Sequence, residues 1–310
     1  MSGARERPES GTRRLAPETG HLKPKKMAAL LDIRRRIRSV KSTQQITRAM
    51  KMVAAARLRR AQDRIFNARP YANEMMVLLS SVVARITDRS HPLLVERPIQ
   101  RQLLVLVTAD RGLCGGFNTN LIRAAQSYVD EHRDRDVSIV LVGRKGRDYF
   151  VRRPVKIIGE HINIFGRLEF SQAQPIAKSI IDLYTGEKVD AVDFIYNEFK
   201  SIMTQRVMME RYLPIKPIVP AQGEALIDYI YEQPAQEIFN ALLPRYVEIE
   251  VYRALLESQA AELAARMTAM DAATNNAREM IDDLTLYMNR VRQAAITREI
   301  IEVVSGAAAT

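Results

Sequence analysis

The chain has 310 residues, room for two ordinary domains or for one domain joined to something elongated. Apolar residues make up 47% of it and aromatics only 6%, with no Trp, a composition that suits helix packing more than aromatic-lined pockets. A single cysteine excludes an intramolecular disulfide or a cysteine zinc centre, and no apolar run approaches the roughly 20 residues of a membrane span.

The net charge of +11 raises nucleic acid as a partner class, but it is unevenly placed. Residues 1–26 carry 7 basic and 3 acidic side chains and residues 27–90 carry 14 and 4, so the chain from 91 onward is net negative. Residues 1–26, rich in Pro, Gly and charge, read as a disordered extension without the marks of a signal or transit peptide, and Met27 is a candidate start.

Residues 27–90 read as one long helix over about 28–87. Apolar or small residues recur at alternating steps of four and three, through Ile33, Ile37, Val40, Gln44, Thr47, Lys51, Ala54, Leu58, Ala61 and Ile65 to Met75, Leu79, Val82 and Ile86. The middle of that series is polar. Ile46, Met50 and Val53 offer a neighbouring stripe, so a local shift of the buried face is expected there. Pro70 is expected to bend or break the helix just after Arg69.

Residues 91–233 alternate strand and helix signals. Continuous apolar runs at Leu103–Ala109, Val137–Gly143 and Val155–Gly159, with a further strand over 189–199, alternate with helical segments at 118–132 and 171–186. That order predicts an α/β, Rossmann-like lobe, a mostly parallel sheet with flanking helices. "GRKG" (Gly143–Gly146) reads as a turn that starts a short helix, Arg206–Pro214 as an edge strand and 215–223 as a loop.

Residues 234–310 hold the second long helix, over about 234–304, with Pro234 in its first turn and Pro244 an early kink. Its series is Leu256, Ala260, Leu263, Met267, Met270, Thr274, Ala277, Ile281, Leu284, Met288, Val291 and Ala295. At about 1.5 Å per residue such a helix is a rod of roughly 90–105 Å, which needs a partner along its narrow apolar stripe. The first helix is the candidate, because residues 234–304 carry 7 basic and 11 acidic side chains against its own positive surplus. An antiparallel coiled coil of the two terminal helices is expected, thin because it is rich in Ala. Past Ala295 the heptad ends, and Ile296, Ile300, Ile301, Val303 and Val304 spread around the helix, calling for an apolar collar.

No constellation for catalysis emerges. "DRGLCGGFN" (Asp110–Asn118) sits where a phosphate loop would, yet has neither G-x-x-x-x-G-K-[ST] nor G-x-G-x-x-G, and reads as a structural turn. Cys114 within it has no base pointed to by the pattern of His21, His91, His132 and His161, and reads as a packed thiol. Asp282 and Asp283 are adjacent on a helix and so diverge, as a solvated face. Met50, Met52, Met267, Met270, Met280 and Met288 read as packing. No catalytic residue, cofactor-binding residue or metal ligand is expected. Two function classes stand: a mechanical coupler made of a stiff shaft with a globular lobe, or a basic coiled-coil nucleic-acid-binding protein. The second is disfavoured by the scarcity of aromatics on the basic helix.

The carboxyl-terminal stretch "ITREIIEVVSGA" (Ile296–Ala307) fits I-T-x-E-x-x-E-x-x-x-G-A. With "STQQITRAMKMVAAARLRRAQ" (Ser42–Gln62) and "DRGLCGGFN", it makes the chain resemble the γ-subunit family, the central rotor stalk of F-type ATP synthases, over nearly all of residues 27–310. The resemblance implies a non-catalytic shaft that couples ion-driven rotation of the membrane c-ring to conformational change at the β-subunit nucleotide sites. It implies rotor–stator contacts at Met50, Lys51, Arg266, Gln293, Thr297 and Glu299, and an apical bearing at Val303, Val304, Ser305, Gly306, Ala307 and Ala308. The implied partners are the α, β and ε subunits and the c-ring, with δ left open, one copy serving each complex. No cofactor and no nucleic acid are implied. The lack of an inserted segment with paired cysteines argues against thiol regulation and for a bacterial enzyme, peripheral at the cytoplasmic face of the inner membrane and touching it only through the c-ring.

Overall fold

The computed structural model describes residues 23–83, 91–166, 168–215 and 234–308. The expectations for residues 1–22, for Ile86 and for most of the 215–223 loop lie outside the described residues. In chain order the elements are α1 (Lys23–Val83), β1 (Arg101–Val107), α2 (Phe117–Glu131), β2 (Asp136–Val142), α3 (Arg144–Phe150), β3 (Lys156–His161), α4 (Phe170–Thr185), β4 (Ala191–Phe199), β5 (Gln205–Leu213) and α5 (Ala235–Ala308). Two compact units divide them: residues 23–43 with 276–308 in one, and those between 44 and 275 in the other.

The larger unit is built on a five-stranded sheet of order β3-β2-β1-β4-β5. The first four strands are parallel, and β5 closes the edge antiparallel to β4. Strand β1 shows why the sheet sits inside: its side chains alternate faces, and both faces are apolar. Leu103, Val105 and Val107 join one core with α4, the second half of α1 and the first half of α5. Leu104 and Leu106 join the other, with Phe117, Leu121 and Ala125 of α2 and Phe150 of α3. Gly143 lets β2 turn into α3, since its φ is +92° and a Cβ there would meet the Thr108 carbonyl oxygen at 2.0 Å.

The expected helix series is the buried one in each unit. Between 44 and 83, Thr47, Ala54, Leu58, Ala61, Ile65, Met75, Leu79 and Val82 are buried and Gln44, Lys51 and Ala68 half-buried. On α5, Leu256, Ala260, Leu263, Met270 and Thr274 are buried and Met267 half-buried. In the smaller unit Ile33 and Ala277 are buried, and Ile37, Val40, Ile281, Leu284, Met288, Val291 and Ala295 half-buried.

Four expectations are corrected. The buried face does not shift to Ile46 and Val53, which are 57% and 53% exposed, because the polar positions Thr47 and Lys51 find partners across the helix pair. Met52 and Met280 are exposed and so do not pack. Helix α1 also begins at Lys23, ahead of the expected start, and continues through Pro70 without a break. Pro70 lies on the exposed side, where solvent can replace the missing helical N–H.

Candidate functional site

In the larger unit, α1 and α5 meet in opposite directions. Going up four residues on α1, from Thr47 to Lys51, corresponds to going down three on α5, from Thr274 to Asp271. The Thr47 and Thr274 hydroxyl oxygens are 2.8 Å apart and buried. Thr274 Oγ1 also lies 2.7 Å from the Met270 carbonyl and Thr47 Oγ1 3.0 Å from the Gln44 carbonyl. Two hydroxyl protons thus serve three acceptor contacts. One turn further, Lys51 Nζ is 2.6 Å from Asp271 Oδ1, a half-exposed pair. Small residues allow this approach: Ala54 and Ala61 on α1, and Ala260 and Ala264 on α5, are all buried.

The turn "DRGLCGGFN" leaves β1 and is tied at each side. Asn118, in the first turn of α2, accepts from the Ala109 N–H at 2.9 Å and donates toward the Arg111 carbonyl at 3.4 Å and Cys114 Sγ at 3.1 Å. Asp110 accepts from the Arg144 and Asn163 N–H groups, joining the loops that follow β1, β2 and β3. Cys114 is buried, and burial pushes its thiol above the ordinary range, with the Glu262 charge adding to the effect. A packed, protonated sulfur is the consequence.

Helix α5 closes over this turn. Arg266 donates from Nη1 to the Gly112 carbonyl at 2.7 Å and from Nε to Glu262 at 2.9 Å, with Nη2 on the same carboxylate oxygen. Both members of that pair are largely buried. Burial raises the Glu262 pKa, and Arg266 pulls against the rise. Nine residues earlier on the helix, Glu257 accepts from the Phe199 N–H at the end of β4, at 3.0 Å. Sequence reasoning missed Glu257. The signal was present in "ALLESQAAELAA" (254–265), where two carboxylates stand inside a run of Leu and Ala that can only be a buried face.

The candidate contact residues are therefore unlike one another. Met50 is half-buried, Lys51 is paired with Asp271, and Arg266 is bonded within the chain. In the smaller unit Gln293, Thr297, Glu299 and the run Val303, Val304, Ser305, Gly306, Ala307 and Ala308 are exposed, Val303 at 72% and Val304 at 62%. Asp282 and Asp283 are exposed too. Among the described residues no cluster of His, Cys, Asp and Glu could hold a metal ion, and no helix is long and apolar enough to cross a membrane.

A family model described as ATP synthase matches residues 29–310. The chain is 54% identical over 287 residues to the ATP synthase gamma chain of Solibacter usitatus (strain Ellin6076), covering 91% of this chain and 99% of that one. It is 50% identical over 284 residues to the ATP synthase gamma chain of Desulfitobacterium hafniense (strain DSM 10664 / DCB-2), with the same coverage. Among solved structures, it is similar to a chain from the central stalk and c-ring of the Tetrahymena thermophila mitochondrial ATP synthase, with TM-score 0.56 and 29% identity, covering 74% of this chain and 99% of that one. A chain from the rotor of the Euglena gracilis mitochondrial ATP synthase shares the fold, with TM-score 0.61 and 19% identity, covering 87% and 99%. With the family model matched over residues 29–310 and relatives 50–54% identical over 91% of its length, the chain belongs to the ATP synthase gamma-chain family.

Proposed function

We infer that this chain is the central rotor shaft of an F-type ATP synthase, a non-catalytic subunit that couples rotation of the membrane c-ring to conformational change at the β-subunit nucleotide sites. The observation that carries the mechanical reading is the end of α5. Beyond Ala295 its apolar residues Ile296, Ile300, Ile301, Val303 and Val304 are all exposed, and a helix tip of that kind in water is an aggregation hazard unless a sleeve surrounds it. The nucleic-acid alternative finds no support among the relatives.

In this reading residues 27–90 and 234–310 form the antiparallel coiled coil and residues 91–233 the lobe, with 1–26 an extension. The Thr47–Thr274 and Lys51–Asp271 contacts support that arrangement at one level of the shaft. Met50, Lys51, Gln293, Thr297 and Glu299 face the stator, Arg266 backs that surface from its seat on the lobe turn, and Val303–Ala308 turn in the collar. The α and β subunits form the sleeve, the ε subunit and the c-ring hold the lower end, and δ is a further candidate. One copy serves each complex, and the chain sits peripherally at the cytoplasmic face of a bacterial inner membrane, meeting the membrane only through the c-ring.

The mechanism is a coupling free energy. A β subunit facing α1 of the larger unit meets the exposed cations Arg48, Arg57, Arg59 and Arg60 beside the apolar Ile46, Met52 and Val53. Rotation changes which β subunit meets that face, and only a shaft with unlike faces can shift three populations differently. Co-purification with a tagged β subunit tests the class. One copy per three β subunits is expected, and absence of the chain from the purified complex would overturn the reading.

A further inference from the structure

In a sheet of order β3-β2-β1-β4-β5 the connections leave β1 toward one side and reach β4 on the other, so the crevice between the carboxyl ends of β1 and β4 is where such folds ordinarily take a ligand. Here α5 fills it. Glu257 holds the end of β4 through the Phe199 N–H, and Arg266, braced by Glu262, holds the turn after β1 through the Gly112 carbonyl. Between them Ala261 is wholly buried in the core formed by Leu104, Leu106 and Ile195. A Cβ on Gly115 would stand 3.7 Å from Ala269 Cβ, so the turn lies directly on the helix.

We propose that Glu257 and Arg266 form a two-point clamp that seats α5 in the ligand crevice of the lobe and carries torque between lobe and shaft. Both are positioning residues: Glu257 grips the last residue of β4 and Arg266 the turn that follows β1, so twisting force on α5 is passed to two central strands. An apolar contact has no preferred direction. A hydrogen bond to a fixed backbone group is directional. The clamp rests on the rotor-shaft reading above.

The test uses the whole ATP synthase in vesicles, with ATP-driven proton pumping and ATP hydrolysis measured together. Glu257→Ala is expected to lower pumping relative to hydrolysis by about threefold, the scale of one lost hydrogen bond. Glu257→Gln is expected to restore the ratio, because its amide oxygen can still accept from Phe199. Should Glu257→Ala not assemble, Glu257→Asp, which withdraws the oxygen by one methylene, carries the same expectation. A staple gives an independent arm: Gly115→Cys with Ala269→Cys, in a Cys114→Ala background, places the two Cβ atoms within the roughly 3.5–4.5 Å that a disulfide spans. Added to the weakened Glu257 variant, the oxidised staple is expected to restore the ratio and a reductant to abolish the gain. An unchanged ratio in Glu257→Ala or Glu257→Asp, equal loss of pumping and hydrolysis, or an oxidised staple without effect would each overturn the clamp. Failure of the unaltered chain to assemble with β would instead sink the rotor-shaft reading.

Discussion

Thr47 and Thr274 stand 227 positions apart in the chain and 2.8 Å apart in space, hydroxyl to hydroxyl and buried. Each also has a carbonyl of its own helix within reach. Thr274→Val therefore leaves Thr47 bonded to Gln44 and is expected to cost no more than about 1 kcal/mol, and the Thr47→Val, Thr274→Val double variant is expected to cost less than the two single changes combined. Denaturant unfolding of the four-member cycle measures the coupling directly.

Arg266 is a different case, because its partner Glu262 is largely buried. Arg266→Ala leaves that carboxylate without its cation and is expected to lower stability by about 3–5 kcal/mol when the group is charged. Glu262 already titrates above the ordinary carboxylate range through burial, and removing Arg266 raises it further. A raised acid binds more protons folded than unfolded, so the stability difference between variant and parent grows as pH rises through that range. Urea midpoints at pH 5 and pH 8 check it: the deficit should be larger at pH 8, and equal deficits would contradict the assignment.

Asp190 gives the opposite sign. It is buried at the foot of the sheet and accepts from Arg101 Nη2 at 2.7 Å, Arg101 N at 2.8 Å and Gln100 N at 3.1 Å. The Arg101 guanidinium and these N–H groups hold its carboxyl below the ordinary range. The stabilisation it supplies is complete above the unfolded pKa of about 4 and disappears as pH falls through the lower folded value. Asp190→Asn is expected to destabilise the chain at neutral pH and to flatten the acid limb of its stability profile, followed by thermal melts from pH 7 to pH 3.

Met50 is half-buried on α1 beside Lys51 and one turn from Ile46. Met50→Lys adds a long cation to a face that already carries Arg57 two turns on, and is expected to lower ATP-driven proton pumping more than ATP hydrolysis. Parallel loss of the two rates would show that the position does not set coupling.

The tail is expected to be forgiving. Deleting the chain from Ser305 removes small residues that guide the shaft, and the truncated subunit should still assemble with measurable hydrolysis. Complete loss of the complex on a native gel would contradict a guiding role.

Helix series and strands were legible because each follows a simple period. Every described member of the α1 series from Ile33 to Val82 whose side chain is placed is buried or half-buried, and the lobe strands appear within two or three residues of the apolar runs that announced them. Hydrophobicity alone points to the wrong face at 46–53. Ile46 looks better than Thr47 for a seam until Thr274 supplies a hydroxyl to meet it. Pro70 misled in the same way, since local propensity knows nothing of which side of the helix faces solvent. The grip of Arg266 on the Gly112 carbonyl depends on two segments 154 positions apart and has no local signature.

The seat of α5 has a consequence for how the polypeptide matures. All five strands leave the ribosome before residue 215, but Ala261 completes their core, and the ends of β1 and β4 receive Arg266 and Glu257 only when the final fifth of the chain emerges. Contacts of such long sequence separation form late and slowly. A nascent lobe waits with an open apolar cleft, exposed to chaperones and to mispairing, until the last helix arrives to shut it.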